Sequence, residues 1–343
     1  SDTNTGTDRS FIQDEINALN NELNRISSST EFNSVKLLDG TYNNKQIQIG
    51  TGANQVFNIG VTATDSSTLG AYELESTAEI TTSAKATAAA AKTALTGMLS
   101  SAADYTVKGS FGEAEIKVDA GADARDVAKS FNLSAGTTGI NATAITKAQI
   151  TKLSHATTVS FTLQGKSDTA STVNATINSV SNLTALKDAI NSVSGATGIS
   201  ASLTTDLSGI NLVQQDGYDI TIGDVTTTHT SGTMSVKVSD KTGATQGTEH
   251  ALKGHTSTED SISMVGQVSL SSHKAFTVTP GNAANHFATT ASAQTSTLQS
   301  MGAVDISSQT GATKALSVID GAIAMISEVR SEMGAAENRL TST

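Results

Sequence analysis

The stretch Asp8–Gly40, DRSFIQDEINALNNELNRISSSTEFNSVKLLDG, decides how the rest of the chain is read. Its apolar residues Ile12, Ile16, Leu19, Leu23 and Ile26 step by four, three, four and three, which lines them up as one stripe on a helix that asks for a partner. Asp8 stands where an N-cap is needed, and Asp14 and Glu15 follow early, where the helix dipole favours negative charge. The run Ser27–Thr30 should end the helix, because its hydroxyls compete for backbone hydrogen bonds. Phe32, Val35, Leu37 and Leu38 then form an apolar patch before an Asp39-Gly40 turn. A comparable stripe returns far along the chain as Leu316, Ile319, Ile323, Ile326, Met333 and Leu340. Two such stripes predict an α+β chain in which the ends pair as an antiparallel helical stalk and the middle is a long insertion. The stripe taken alone fits a core helix of an ordinary globular domain equally well.

The same residues carry a resemblance. Asp8-Arg9, Gln13–Ile16, Thr30–Asn33 and Lys36–Gly40 resemble the N-terminal conserved region of bacterial flagellin. Ile319-Asp320, Ala322-Ile323, Val329-Arg330, Gly334-Ala335 and Asn338–Leu340 resemble its conserved C-terminal region. Ser34 departs from the pattern, since flagellins usually place Gly after the Phe-Asn pair. The resemblance implies an extracellular structural subunit of the flagellar filament, with the long core helices of a full flagellin lying outside Ser1–Thr343. Implied partners are other flagellin subunits and, for the full-length protein, the flagellar cap, junction proteins and an export chaperone. It also implies that part of a surface read by an innate immune receptor lies around Arg330 and Asn338-Arg339.

Composition bounds the alternatives. Aromatics make up 3% of the chain and Trp is absent, so cores must be built from Ile, Val, Leu and Ala. Without Cys there is no disulfide framework or thiolate metal site. No apolar run approaches the ~20 residues a membrane span needs. A net charge of −11 argues against nucleic acid, whose phosphates call for a basic face.

Along the chain, 1–80 with 303–343 read as the stalk with a β-hairpin. The hairpin is Lys45–Val61, turning at Thr51–Asn54. Ala84–Leu99 reads as helical from its alanines. Residues 81–302 form the insertion, which contains a repeat: adding 59 to Ile116, Val118, Val127, Phe131 and Thr138–Ala142 gives Ala175, Ile177, Leu186, Ile190 and Thr197–Ala201. Each copy, near 105–155 and 159–225, predicts strand, helix and strand. Short alternating strands near 226–281 predict a β-rich lobe, with turns at Asp216-Gly217, Gly223-Asp224 and Pro280-Gly281. Asn282–Ser300 reads as the return to the stalk.

Candidate chemistry is sparse. Glu249-His250 with His255 and Glu259-Asp260 is the one concentration of metal-type ligands, and it fits a solvated loop better. No HExxH, GxSxG or Walker sequence occurs. Asp119, Asp123 and Asp126 fall where acids cap a short helix, and Lys85 and Lys92 read as solvating charges. These residues predict neither an enzyme nor a bound cofactor. The candidate functional residues are therefore those of stalk packing and self-assembly: Ile12, Ile16, Leu19, Leu23, Ile26, Ile319, Ile323, Ile326, Met333 and Leu340. A second reading makes the outer lobes a surface for polysaccharide or host ligands, with Tyr218 and Phe276 as the aromatic material for it. The chain itself, short of the core helices, is expected to be monomeric.

Overall fold

The structure, a computed structural model, describes residues 6–48, 56–76, 79–81, 102–254, 260–281, 287 and 292–342. In chain order its elements are α1 (Gly6–Ser29), β1 (Glu31–Phe32), β2 (Val35–Lys36), β3 (Lys45–Gln48), β4 (Val56–Ile59), β5 (Gly70–Glu75), β6 (Glu79–Thr81), β7 (Ala103–Lys108) and β8 (Glu113–Val118). Then come α2 (Ala124–Leu133), α3 (Ala135–Thr138), β9 (Asn141–Leu153), β10 (Thr157–Gln164), β11 (Ser171–Ile177), α4 (Thr184–Ser192), α5 (Ser194–Thr197) and β12 (Ile199–Leu203). The last are β13 (Ile210–Gln214), β14 (Ile220–Thr227), β15 (Thr233–Ser239), β16 (Thr245–Lys253), β17 (Ile262–Val265), β18 (Gln267–Ser272), β19 (Thr277–Pro280), β20 (Gln294–Thr295), β21 (Thr297–Ser300) and α6 (Gln309–Thr341). The chain is α+β. The Ala84–Leu99 segment, the Thr51–Asn54 turn, most of Asn282–Ala291, Lys85, Lys92, His255 and Glu259 lie outside the described residues.

The chain divides into two compact units. Unit 1 is Ser1–Glu73 with Ser271–Phe276 and Ser296–Thr343, and unit 2 is Leu74–Leu270 with Thr277–Thr295.

In unit 1, α1 begins at Gly6, so Asp8 lies in its first turn rather than at the N-cap. It ends at Ser29, inside the Ser27–Thr30 run where its end is expected. Within that run the hydroxyls turn onto backbone carbonyls: Ser28 Oγ donates to Arg25 O, Thr30 Oγ1 to Ile26 O, and Ser27 Oγ to Leu38 O. Next, Asn33 and Ser34 link β1 to β2 with φ of 50° and 59°. A two-residue hairpin turn of this hand needs positive φ at both positions, which is why Gly suits the place of Ser34. β3 pairs with β4, Ile47 facing Phe57. β5 pairs with β21 from Gly70 opposite Ser300 to Glu73 opposite Thr297.

In unit 2 two segments have the same build 59 positions apart: β8, α2, α3, β9 and β11, α4, α5, β12. The match extends to side chains. Asn132 Nδ2 donates to Ala142 O at 2.9 Å while its Oδ1 accepts from Ala142 N at 2.8 Å. Asn191 does the same to Ala201, at 2.9 and 2.8 Å. Thr138 and Thr197 each donate back into the preceding helical turn and accept from the next Ile N–H. Gly139 and Gly198 close the turn at φ of 73° and 69°, a conformation that costs glycine least. An Asn side chain thus serves a strand as a neighbouring strand would. Asn132→Ala and Asn191→Ala should each cost about 1–3 kcal/mol, by leaving a backbone N–H and C=O unpaired. Denaturant melts and hydrogen exchange at the Ala142 and Ala201 amides check this.

Within unit 2 the sheets interlock the two copies. β12-β13-β9 form one sheet, with β15 and β16 attached through β9, and β11-β10-β14-β17-β6 form another. The strands after the second copy therefore belong to the same sheets as the repeat. Ile150, Leu163, Leu186, Ile190, Ile199 and Ile222 lie in the core they share. Gly223-Asp224 is not a turn: it sits inside β14, where Asp224 takes φ of 51° and the register with β10 shifts. That is a β-bulge, and the unusual backbone that suggested a turn serves to bend a strand. Pro280 likewise ends β19 opposite Tyr105, with Gly281 following. Asp123 caps α2 by accepting from Asp126 N at 2.9 Å.

Candidate assembly surface on the two long helices

The side of α1 turned into unit 1 is polar. Arg9, Gln13, Asn20, Asn24 and Ser27 recur at helical spacing, and each holds backbone elsewhere in the unit. Gln13 accepts from Ile306 N at 2.8 Å and donates to Val304 O at 3.0 Å. Arg9 Nε donates to Ser307 O, Asn20 Nδ2 to Met301 O, and Asn24 Oδ1 accepts from Ser66 N. Between them Ile16 packs against Val304, Ile306, Ala315 and Val318. These clamps read backbone directly, so they fix the helix's rotation as well as its position.

The inner side of α6 is made of small residues. Ala315, Val318 and Ala322 are buried, and a Cβ on Gly321 would stand 2.5 Å from Gly70 O. Ser317 Oγ donates to the buried Glu73 at 2.8 Å. Further along, Glu328 accepts from Lys274 Nζ at 2.5 Å with His273 Nε2 at 3.5 Å, and the Arg339 guanidinium lies 4.8 Å over the Phe57 ring. On α1 the exposed Glu22 accepts from Arg25, which holds its carboxyl below the usual carboxylate range. That exposed pair adds little stability.

Small and polar residues thus face inward, and the apolar stripes are left over. Ile12, Leu19 and Ile26 on α1 and Ile323, Ile326, Met333 and Leu340 on α6 are exposed, Leu19 by 62% and Ile323 by 58%. Ile16, Leu23 and Ile319 are half-buried. Leu316, one heptad before Ile323, is exposed too, as are Phe11, Phe32 and Val35. Of the ten stalk residues, the interior of unit 1 takes up Ile16. The inward set, Arg9, Gln13, Asn20, Asn24 and Gly321, escaped the sequence reading because amides and glycines leave no hydrophobic period; their own i, i+4 and i+7 recurrence is the signal that could have found them.

Of the metal-type candidates, His255 and Glu259 lie outside the described residues. Glu249 and His250 are neighbours on β16, so they point to opposite faces, and Glu249 pairs with Lys152 at 3.0 Å. Among the described residues no group of three or more His, Asp or Glu side chains could hold a metal ion. Phe276 is buried, and Tyr218 is half-buried beneath the Arg125 guanidinium at 4.7 Å, so neither presents a free ring. Among the described residues no helix is long and apolar enough to cross a membrane.

Comparison with known proteins gives this surface its context. Residues 1–43 match the bacterial flagellin N-terminal helical region, and residues 158–216, the second copy of the repeat, match the flagellin hook IN motif. Over 99% of its length the chain is 28% identical to the B-type flagellin of Pseudomonas aeruginosa, and over 100% it is 27% identical to flagellin B of Helicobacter pylori. These matches support a bacterial flagellin. The chain spans 67% and 69% of those two flagellins, about two thirds of each. The flagellin of Bacillus subtilis is 52% identical over 69 residues, which cover 18% of this chain and 22% of that one. Among solved structures, the flagellar cap protein FliD from Helicobacter pylori is similar over 70% of this chain and 85% of its own, at 11% identity and a TM-score of 0.19, too low to inform the fold. The flagellins among these relatives are structural proteins.

Proposed function

We propose that this chain is a structural subunit of the extracellular flagellar filament, with the apolar rows of α1 and α6 covered by neighbouring copies and by the rest of the filament's helical core, and with unit 2 exposed outward. One observation carries this: large apolar side chains stand exposed in heptad order on α1 and α6, although unit 1 has already satisfied the inner faces of both helices. Exposed apolar area in a continuous row marks a contact surface, since scattered side chains would be unremarkable. Other subunits are the partners this surface fits, and the cap, junction proteins and export chaperone are partners of the full-length protein. The net charge of −11 opposes contact between copies, so assembly should strengthen with salt until screening is complete. The chain by itself should stay monomeric at micromolar concentration. A polysaccharide-binding role draws no support from the lobes, where the named aromatics are covered.

The test uses Leu19→Asp and Ile323→Asp in the full-length flagellin. Both positions are exposed, so melting should move by no more than about 0.5 kcal/mol. Filament formation followed by sedimentation and electron microscopy should fail. Normal filaments from both variants would remove these rows from the assembly surface.

A further inference from the structure

We propose that Met333 is an oxidation site through which peroxide controls subunit packing, an inference that rests on the assembly role of the α6 row. The chain has no Cys, so methionine thioethers are its readily oxidised sulfur groups. Among its six methionines, Met234 and Met264 are fully buried and Met301 and Met325 are half-buried; Met98 lies outside the described residues. Met333 is 43% exposed, the one methionine among the large exposed apolar side chains of the described residues. Its place is the second observation. It lies one heptad after Ile326 and one before Leu340, both exposed, and it borders a cavity lined by Ile59, Arg330, Glu337 and Leu340. The single oxidisable side chain of the row therefore stands in its middle.

The chemistry is a two-electron oxygen transfer. The thioether sulfur attacks one peroxide oxygen, the O–O bond breaks, sulfur gains S=O, and hydrogen peroxide leaves as water. A flexible apolar side chain becomes a polar one, whose oxygen demands hydrogen bonds that a packed apolar row does not supply. In the separate subunit the sulfoxide stays in water, so the fold is not disturbed. Between subunits it is desolvated, so assembly suffers. Met333→Leu keeps the volume and removes the sulfur.

The experiment treats folded, unassembled full-length flagellin with hydrogen peroxide, maps sulfoxide by peptide mass spectrometry, and then measures the critical concentration for assembly. Met333 should oxidise ahead of Met234 and Met264, melting should be unchanged, and the critical concentration should rise about tenfold, equivalent to about 1.4 kcal/mol. Measured against its own untreated protein, Met333→Leu should show no peroxide-dependent rise in critical concentration, and a methionine sulfoxide reductase should restore the oxidised wild type. Full assembly with Met333 completely oxidised, or equal loss of assembly in peroxide-treated Met333→Leu, would overturn the proposal. Either result leaves the assembly role standing provided that Ile323→Asp still blocks filaments; if Ile323→Asp assembles, the underlying reading has failed instead.

Discussion

Gly321→Val should destabilise unit 1 by about 3 kcal/mol or more, and even Gly321→Ala should be costly, although alanine is the better helix former by about 1 kcal/mol. The reason is the seat of α6. A Cβ at 321 would lie 2.5 Å from Gly70 O and 2.8 Å from both Cα and Cβ of Ala71. Atoms do not approach so closely, and the obstacle is backbone, so no rotamer change can relieve it. Nor can β5 retreat. Gly70 itself sits where a Cβ would be 2.0 Å from Gln299 O, and its strand is paired along β21. The helix cannot lift away without cost either, because Ser317 donates to Glu73 one turn earlier and Glu328 holds Lys274 two turns later. Gly334 on the same helix is the control: a Cβ there meets nothing within 4 Å, so Gly334→Ala should stabilise by about 0.5–1 kcal/mol. Thermal melts followed by far-UV circular dichroism compare the two directly. A stabilising Gly321→Ala would mean that α6 does not rest on β5 as described.

This contrast shows what the amino-acid sequence disclosed and where it stopped. The heptad spacing of Ile12–Ile26 and of Leu316–Leu340 correctly announced two helices, because apolar side chains repeat with the period of the backbone that carries them. It could not announce what covers those side chains. A period gives direction on a helix, whereas burial depends on the partner's shape, and here the inward surfaces are amides, alanines and a glycine. Gln13, which holds both Val304 O and Ile306 N, looks in the sequence like any solvated helix residue. The family resemblance of Thr30–Asn33 and Lys36–Gly40 was legible because turns are chemically specific: Gly40 takes φ of 81° and Asp39 accepts from Thr41 N at 2.9 Å. The Gly223-Asp224 bulge reads as a turn for a physical reason. Ser, Asp and Gly serve turns, strand bulges and helix ends alike, and tertiary hydrogen bonds choose among them.

Ile140→Ala and Ile199→Ala should each cost about 2–5 kcal/mol, and by similar amounts. Both side chains are fully buried, each on the first residue after an αL glycine. Their surroundings leave little room to collapse into the cavity. On one side, the backbone is pinned by the Thr138 and Thr197 hydroxyls, which accept from the Ile140 and Ile199 N–H groups. Two residues further on, Asn132 and Asn191 hold Ala142 and Ala201 at both backbone groups. Ile199 also lies against Gly165, where a Cβ would stand 3.0 Å from Ile199 Cδ1, so a hole left there opens beside backbone that is already held. A void whose walls cannot move keeps the full loss of packing as well as the loss of transfer energy, which places both truncations toward the upper part of that range. Denaturant melts give the size of each effect. Hydrogen exchange locates it: Ile199→Ala should open β12 and β13, and Ile140→Ala should open α2 and the start of β9. A near-neutral result at one position would mean that the two copies share a backbone but divide the burden of stability unequally. The clamp would then be the device that the two copies share, and the isoleucine only one of several ways to fill the space beneath it.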